Sequence, residues 1–258
     1  MKVIVSEQGR TTLIGINRPE SRNAVDRETA ELLSNAFRAF EANPNSDVAI
    51  LHGVGSNFCA GADFKALANG VAANRVRPDG DSPMGPTRLQ LSKPVIGALS
   101  GYAVAGGLEL AIWCDLRIAD DSTKLGVFCR NFGIPLVDGG TVRLPRLIGT
   151  GRAMDMILSG REVGAVEALS MGLVTSVVPK DMALTSAIDL AEQIAEHPQE
   201  CLRQDRMSVY EQEGMPIDGA LLNEYEHGYM TLCSNELPKD TDKFHLENWK
   251  TKIRESFN

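Results

Sequence analysis

The sequence predicts an α/β protein that ends in an all-helical region. Three observations carry this expectation. Short apolar runs that read as buried strands alternate with segments of helical spacing up to about residue 180. Beyond Pro179 the strand-like runs stop and helical spacing continues. The 258 residues, 43% of them hydrophobic, suffice for one large core with an appendage. The expected division is therefore a β/α core over 1–180 and a helical region over 181–258.

Each element has a local cause. Residues 3–5 and 11–17 alternate at about period two around Gln8-Gly9, which signals a hairpin. The run Arg18-Pro19-Glu20-Ser21-Arg22-Asn23-Ala24 breaks that pattern and reads as a loop. Asp26 is placed to cap a helix over 27–41, where Ala30, Leu33, Phe37 and Phe40 keep helical spacing and Asn43-Pro44-Asn45 stops it. A buried strand is expected at 47–53. A small-residue loop follows, and its Asp63 is placed to cap the next helix. Residues 70–87 are rich in Gly, Pro, Asn, Asp and Arg and read as a loop beside a ligand, with a helix end at 88–91. The apolar run 94–99 reads as a strand and 108–113 as a buried helix. Strands are expected at 116–119 and 125–127, and a loop at 130–140. A helix opens at Thr141 and is expected to break early at Pro145. Helices over 152–158 and 165–171 have stops at Gly160 and Gly172, and 174–178 is the last strand. The tail reads as helices over 182–195, 200–213, 217–233 and 244–256.

Composition removes several function classes. The net charge of −8 argues against nucleic acid as the main partner, while an anionic small ligand stays open. No apolar run approaches the ~20 residues of a membrane span, and Met1-Lys2-Val3-Ile4-Val5 reads as a strand rather than a signal peptide. The five cysteines are scattered and form no C-x-x-C pair, so neither a disulfide framework nor a zinc site is expected, and the cytoplasm is the expected location. The histidines have no metal-ligand spacing, so no metal is expected.

The stretch Gly101-Tyr102-Ala103-Val104-Ala105-Gly106-Gly107-Leu108-Glu109-Leu110 organises the rest. Only small residues lie between the strand before it and the helix after it, so another molecule can approach the main chain closely. The first turn of a helix has N–H groups without intrahelical partners, and its dipole favours negative charge. Gly106 and Gly107 thus offer donors, with the carboxylate of Glu109 one turn away. The loop Phe58-Cys59-Ala60-Gly61-Ala62-Asp63 repeats the arrangement with donors near Ala62. Two such loops suit an oxygen that becomes negative during a reaction. Either loop alone would read better as a tight packed connection; the pair, in this order and with Glu109, favours the functional reading.

These segments, with Asn17-Arg18-Pro19, Asn23-Ala24, Cys114-Asp115 and Asp138-Gly139-Gly140-Thr141, resemble the enoyl-CoA hydratase/isomerase (crotonase) family. The resemblance covers residues 3–180 well and the tail weakly. It implies a spiral of β-β-α units with a helical trimerisation tail, and a homotrimer or a dimer of trimers. It implies an acyl-CoA thioester partner, with coenzyme A as part of the substrate and no separate cofactor. By motif, the thioester oxygen would sit between the N–H groups of Ala62 and Gly106. Coenzyme A would lie near Arg22, Ala24, Ala60, Gly61, Asp63, Phe64 and Lys65, with Arg22 and Lys65 suited to phosphates.

The sequence departs from the family at one place. Hydrating members resemble each other in carrying two glutamates. The first is Glu109 here, but the second position, in Gly126-Val127-Phe128-Cys129, is Cys129. A thiol is a poor substitute for a carboxylate that handles a water proton. Asp138 stands where isomerase-type members resemble this sequence, and a Glu109/Asp138 pair could move a proton along the acyl chain without water. Asp138 reads equally as the cap of the helix that follows it. Hydration and double-bond isomerisation both stay open. So do binding without turnover and thioester hydrolysis or decarboxylation at the same site.

Overall fold

The computed structural model describes residues 1–70 and 72–234. The helix expected at 244–256 lies outside them. Two compact units emerge, Met1–Ile194 and Ala195–Asn258.

In the first unit a six-stranded sheet runs in the order 1-2-3-4-6-9. β1 (Val3–Gln8) and β2 (Thr11–Ile16) form the expected antiparallel hairpin, turning at Gly9 with φ +57°. β3 (Val48–Gly53), β4 (Val95–Leu99), β6 (Leu116–Asp120) and β9 (Ser176–Val178) add in parallel. A second sheet joins β5 (Tyr102–Val104) in parallel to β7 (Lys124–Gly126), with β8 (Val163–Gly164) antiparallel to β7. Single parallel bridges Cys59–Ala103 and Val25–Ala62 extend that second layer. Each turn of chain therefore places one strand in the large sheet and a short extended segment in the second layer. The turn then enters a helix: α1 (Arg27–Ala42), α2 (Phe64–Asn69) or α3 (Gly106–Trp113). This is a repeated β-β-α unit.

Both faces of the large sheet are covered, which is why its central strands are continuous apolar runs. Alternate residues point in opposite directions. Ala49 and Leu51 join the inner core with Phe37, Leu108 and Leu110. Val48 and Ile50 join an outer core with Ile96, Ile118 and the small face Ala183, Ala187 and Ala191 of α7 (Ala183–Ala195). The strand pattern ends near residue 180 as expected, but the compact unit runs on to Ile194 because α7 covers this outer face. In the second unit α8 (Gln199–Glu211) packs on α9 (Ile217–Cys233), and buried His227 joins Gln204 (2.6 Å) to Glu211 (2.9 Å). No helix among the described residues is long and apolar enough to cross a membrane.

Three local expectations differ from the structure. The helix end expected at 88–91 is a 3₁₀ turn over Pro86–Arg88, followed by extended Leu89. The segment 102–104 is a strand rather than part of a loop, because three residues are too few to display a period. Pro145 does not end its helix, α4 (Gly140–Ile148). Its missing N–H leaves one carbonyl of a short helix without its usual donor, while buried Leu144 and Ile148 hold the turn and the Gly149 N–H donates to the Pro145 carbonyl at 2.9 Å.

Asp26 acts as expected. Its Oδ1 accepts from the Thr29 N–H (2.9 Å) and hydroxyl (2.7 Å), and its Oδ2 faces Lys2 Nζ at 2.6 Å and Arg18 at 3.6 Å. Burial opposes ionisation, but the hydrogen bonds from Lys2 and Thr29 and the Arg18 charge outweigh it and hold the carboxyl at about 2. Asp26→Ala is expected to lower stability at pH 7 by about 1–2 kcal/mol in urea unfolding. The gap should narrow as pH falls from 3.8 towards about 2, where the native carboxylate protonates. An unchanged urea midpoint would refute the cap.

Candidate active site

The site is built on the N-terminus of α3. This helix is apolar on every side and buried, as a central helix must be. Its one charged residue, Glu109, is 2% exposed. Close approach of the backbone requires its glycines. A Cβ on Gly107 would stand 2.1 Å from the Cys59 carbonyl oxygen, and one on Gly106 would stand 2.7 Å from Met84 Sδ. Ala105, just before the helix, holds φ +53°, a left-handed value that a non-glycine residue adopts at a cost. Its N–H donates to the Gly126 carbonyl (2.9 Å), which locks that corner to the second sheet.

The other small-residue loop meets this corner. Gly61 has φ +96°, and a Cβ there would lie 3.0 Å from the Gly106 nitrogen. The Ala62 and Gly106 peptides are therefore brought alongside one another. The flanking donors are used: Gly61 N–H reaches Cys59 Sγ at 3.3 Å, and Asp63 N–H reaches the Val25 carbonyl at 2.9 Å. Among the described residues, no acceptor takes the N–H of Ala62 or of Gly106. Two amides free to donate beside a helix N-terminus would, on general grounds, suit an oxygen that gains negative charge.

Glu109 faces the 138–140 turn. Its Oε1 accepts from the N–H of Asp138 (2.9 Å) and of Gly140 (2.8 Å). Gly140 permits this, since a Cβ there would lie 2.9 Å from the same oxygen. Burial pushes the Glu109 carboxyl up to about 7, the neighbouring Asp138 adds to the rise, and the main-chain donors only partly oppose it. A carboxyl poised near neutrality can both accept and return a proton.

Asp138 is 4% exposed and does not cap α4, whose N-cap is Gly139 with no side-chain cap. Its Oδ1 accepts instead from the Met84 N–H (2.8 Å) and the Thr87 hydroxyl (3.1 Å). Burial raises its carboxyl as well, against the pull of the Met84 N–H and of the nearby Ser82 and Thr87 hydroxyls. The cap alternative is thereby removed, and two mutually repelling buried carboxyls remain. Arg143 braces the turn, donating to the carbonyls of Asp138 (3.2 Å) and Thr87 (2.7 Å). Cys129 is buried in a tight 3₁₀ turn, Phe128–Phe132, where burial and then the Glu109 charge push its thiol up. It stays a protonated thiol rather than a nucleophile.

The residues proposed for coenzyme A divide in two. Arg22 and Lys65 are exposed. Arg22 lies over the Tyr102 ring (5.3 Å), and its carbonyl accepts from the Ala60 N–H at 3.0 Å. Phe64 is exposed and meets Phe132 with ring centroids 4.9 Å apart. Asp63, by contrast, is committed to scaffold. Its Oδ1 caps α2 through Lys65 N–H (2.9 Å) and Ala66 N–H (3.2 Å), and its Oδ2 pairs with Arg18 at 2.8 Å. Arg18 also donates to the Ala24 carbonyl, so one guanidinium ties the 24 loop to the 60–63 loop. Sequence reasoning gave Arg18, Met84 and Thr87 no role. Arg18 stands within a quoted motif, but its partner is 45 residues away, and nothing local marks the other two.

A sequence model described as "Enoyl-CoA hydratase/isomerase" matches residues 7–221. The chain is 34% identical over 244 residues to the enoyl-CoA hydratase EchA19 of Mycobacterium tuberculosis, covering 90% of this chain and 89% of that one. It is 33% identical over 227 residues to the 2,3-dehydroadipyl-CoA hydratase of Escherichia coli, covering 86% and 87%. Among solved structures, the enoyl-CoA hydratase EchA1 of Mycobacterium marinum superposes with a TM-score of 0.85 at 32% identity, covering 91% of each chain. With the β-β-α repeat and these likenesses in agreement, the chain belongs to the enoyl-CoA hydratase/isomerase family.

Proposed function

We propose that this enzyme shifts the double bond of an enoyl-CoA through a thioester enolate. The N–H groups of Ala62 and Gly106 receive the negative charge on the thioester oxygen. Glu109 and Asp138 remove a proton from one carbon and return one to another. The observation that carries this reading is the pair of buried carboxyls in a site whose third candidate position is a thiol, Cys129. Ala24, Ala60, Gly61 and Phe64 line the approach of the pantetheine arm, and Arg22 and Lys65 face the phosphates. Coenzyme A arrives with the substrate, and no further cofactor enters. Five free cysteines fit a reducing compartment, the cytoplasm. Exposed Leu221, Leu222 and Tyr225 on α9 suit burial in a homotrimer or a dimer of trimers.

Hydration is the second reading, and the names of the relatives favour it. Product chromatography after incubation with a 3-enoyl-CoA and with crotonyl-CoA separates the two. The expected result is conversion of the 3-enoyl-CoA to its 2-enoyl isomer, lowered about a hundredfold or more by Asp138→Ala. Efficient hydration of crotonyl-CoA that survives Asp138→Ala would replace isomerisation with hydration.

A further inference from the structure

Asp138 is the inner end of a run of buried hydroxyls. Thr87 Oγ1 lies 3.1 Å from Asp138 Oδ1 and 2.6 Å from Ser82 Oγ. Ser82 Oγ donates in turn to the Gly85 carbonyl at 2.8 Å. Thr87 is 2% and Ser82 3% exposed, so neither hydroxyl is held by bulk water. Buried hydroxyls are retained where hydrogen bonds satisfy them, and here those bonds link two hydroxyls and a carboxylate into one run. The outer end of the run differs. Ser82 lines an open cleft between α1 and the 75–83 segment, with Arg27, Glu31, Arg75, Asp79 and Asp81 around it. Among the described residues, the hydrogen bonds to Glu109 Oε1 come instead from main-chain N–H groups, which do not pass protons on.

We propose that Thr87 and Ser82 form a proton wire that connects Asp138 to water in this cleft. The idea rests on the isomerase reading. When Asp138 has taken a proton from substrate carbon, its carboxylic acid donates to Thr87 Oγ1. The Thr87 hydroxyl hydrogen moves to Ser82 Oγ, and the Ser82 hydrogen turns from the Gly85 carbonyl to a cleft water. One proton leaves Asp138 as one enters the water, and no electrons change hands. The reverse sequence reloads Asp138 with a solvent proton. A threonine hydroxyl has one hydrogen and two acceptors here, so it points to Asp138 while that group is ionised and to Ser82 once it is protonated. Thr87 and Ser82 are thus positioning and relay residues that never touch substrate, and a carbon to which the reloaded Asp138 returns a proton acquires hydrogen from solvent rather than only from the carbon that Asp138 deprotonated.

The test is isomerisation of a 3-enoyl-CoA in deuterium oxide, with deuterium per product molecule read by mass spectrometry. Wild-type product should carry solvent deuterium. Thr87→Val, which keeps the shape and removes the hydroxyl, should cut the label per turnover about tenfold, Ser82→Ala should also lower it, and Thr87→Ser should restore it. Label unchanged in Thr87→Val and Ser82→Ala, or wild-type product free of deuterium, overturns the wire while leaving isomerisation standing. Failure of Thr87→Ser to restore the label assigns the loss to packing and also overturns it. No conversion by the wild type overturns the isomerase reading and the wire together.

Discussion

Glu109→Gln is expected to lower kcat/KM for an enoyl-CoA by about a thousandfold, the middle of the range that a positioned acid/base supplies. The amide keeps an oxygen for the Asp138 and Gly140 N–H groups, so the 138–140 turn stays in place while proton transfer is lost. The same substitution has a thermodynamic signature. Burial, reinforced by Asp138, raises the Glu109 carboxyl from 4.5 to about 7. Between those values the folded chain keeps a proton that the unfolded chain has released, so wild-type stability falls as pH rises through that window. The whole effect is on the order of 3 kcal/mol. Glutamine cannot ionise and lacks that slope. Urea midpoints at pH 5 and pH 8 should therefore show the variant gaining on the wild type with rising pH. Parallel pH profiles, or an active variant, would remove Glu109 from the role assigned to it.

Gly107→Ala is expected to damage the fold itself. The added methyl would lie 2.1 Å from the Cys59 carbonyl oxygen, 2.8 Å from its carbon and 3.0 Å from Cys59 Cβ. None of these atoms can swing away. The Cys59 carbonyl accepts from the Val104 N–H (3.1 Å), and the Cys59 N–H donates to Tyr102 (2.8 Å), so the clash is with a paired backbone. Ordinary overpacking costs about 1–3 kcal/mol. A clash with fixed main chain should exceed that, at about 4 kcal/mol or more, a large share of the roughly 5–15 kcal/mol that holds a domain folded. Gly151→Ala is the control: it lies in α5 (Thr150–Ser159) with nothing within 4 Å of the added carbon. It should leave stability unchanged or raise it by up to about 1 kcal/mol. Thermal unfolding of the two variants side by side decides the matter, and similar melting temperatures would mean that α3 does not abut the Cys59 segment as closely as described.

Most of the elements were legible in the chain. The hairpin around Gly9 and the α1 cap at Asp26 act within a few residues, so local pattern finds them. The two small-residue corners were legible for a different reason. Gly61, Gly106 and Gly107 are each pressed against other backbone or side chains, and that demand shows as absent side chains. The coenzyme A placement at Asp63 came from the family resemblance and not from local pattern; what local pattern found there is the cap, and Arg18 joins the first turn of α2 on its carboxylate.

From sequence alone came the α/β class, the repeated small-residue corners and the acid at Glu109, because periodicity, capping and side-chain size are properties of neighbouring residues; the change to Cys129 was visible only against the family resemblance. Only the tertiary structure decided that Pro145 stays within its helix, that Asp138 turns to Met84 and Thr87 instead of capping α4, and that a hydroxyl run leads from it to a cleft. It also decided the protonation of Glu109 near neutral pH. Burial and partners outside the local segment set these outcomes, 54 and 51 residues away for Asp138 and 29 and 31 for Glu109, and a carboxyl's affinity for its proton depends on what the whole fold places around it.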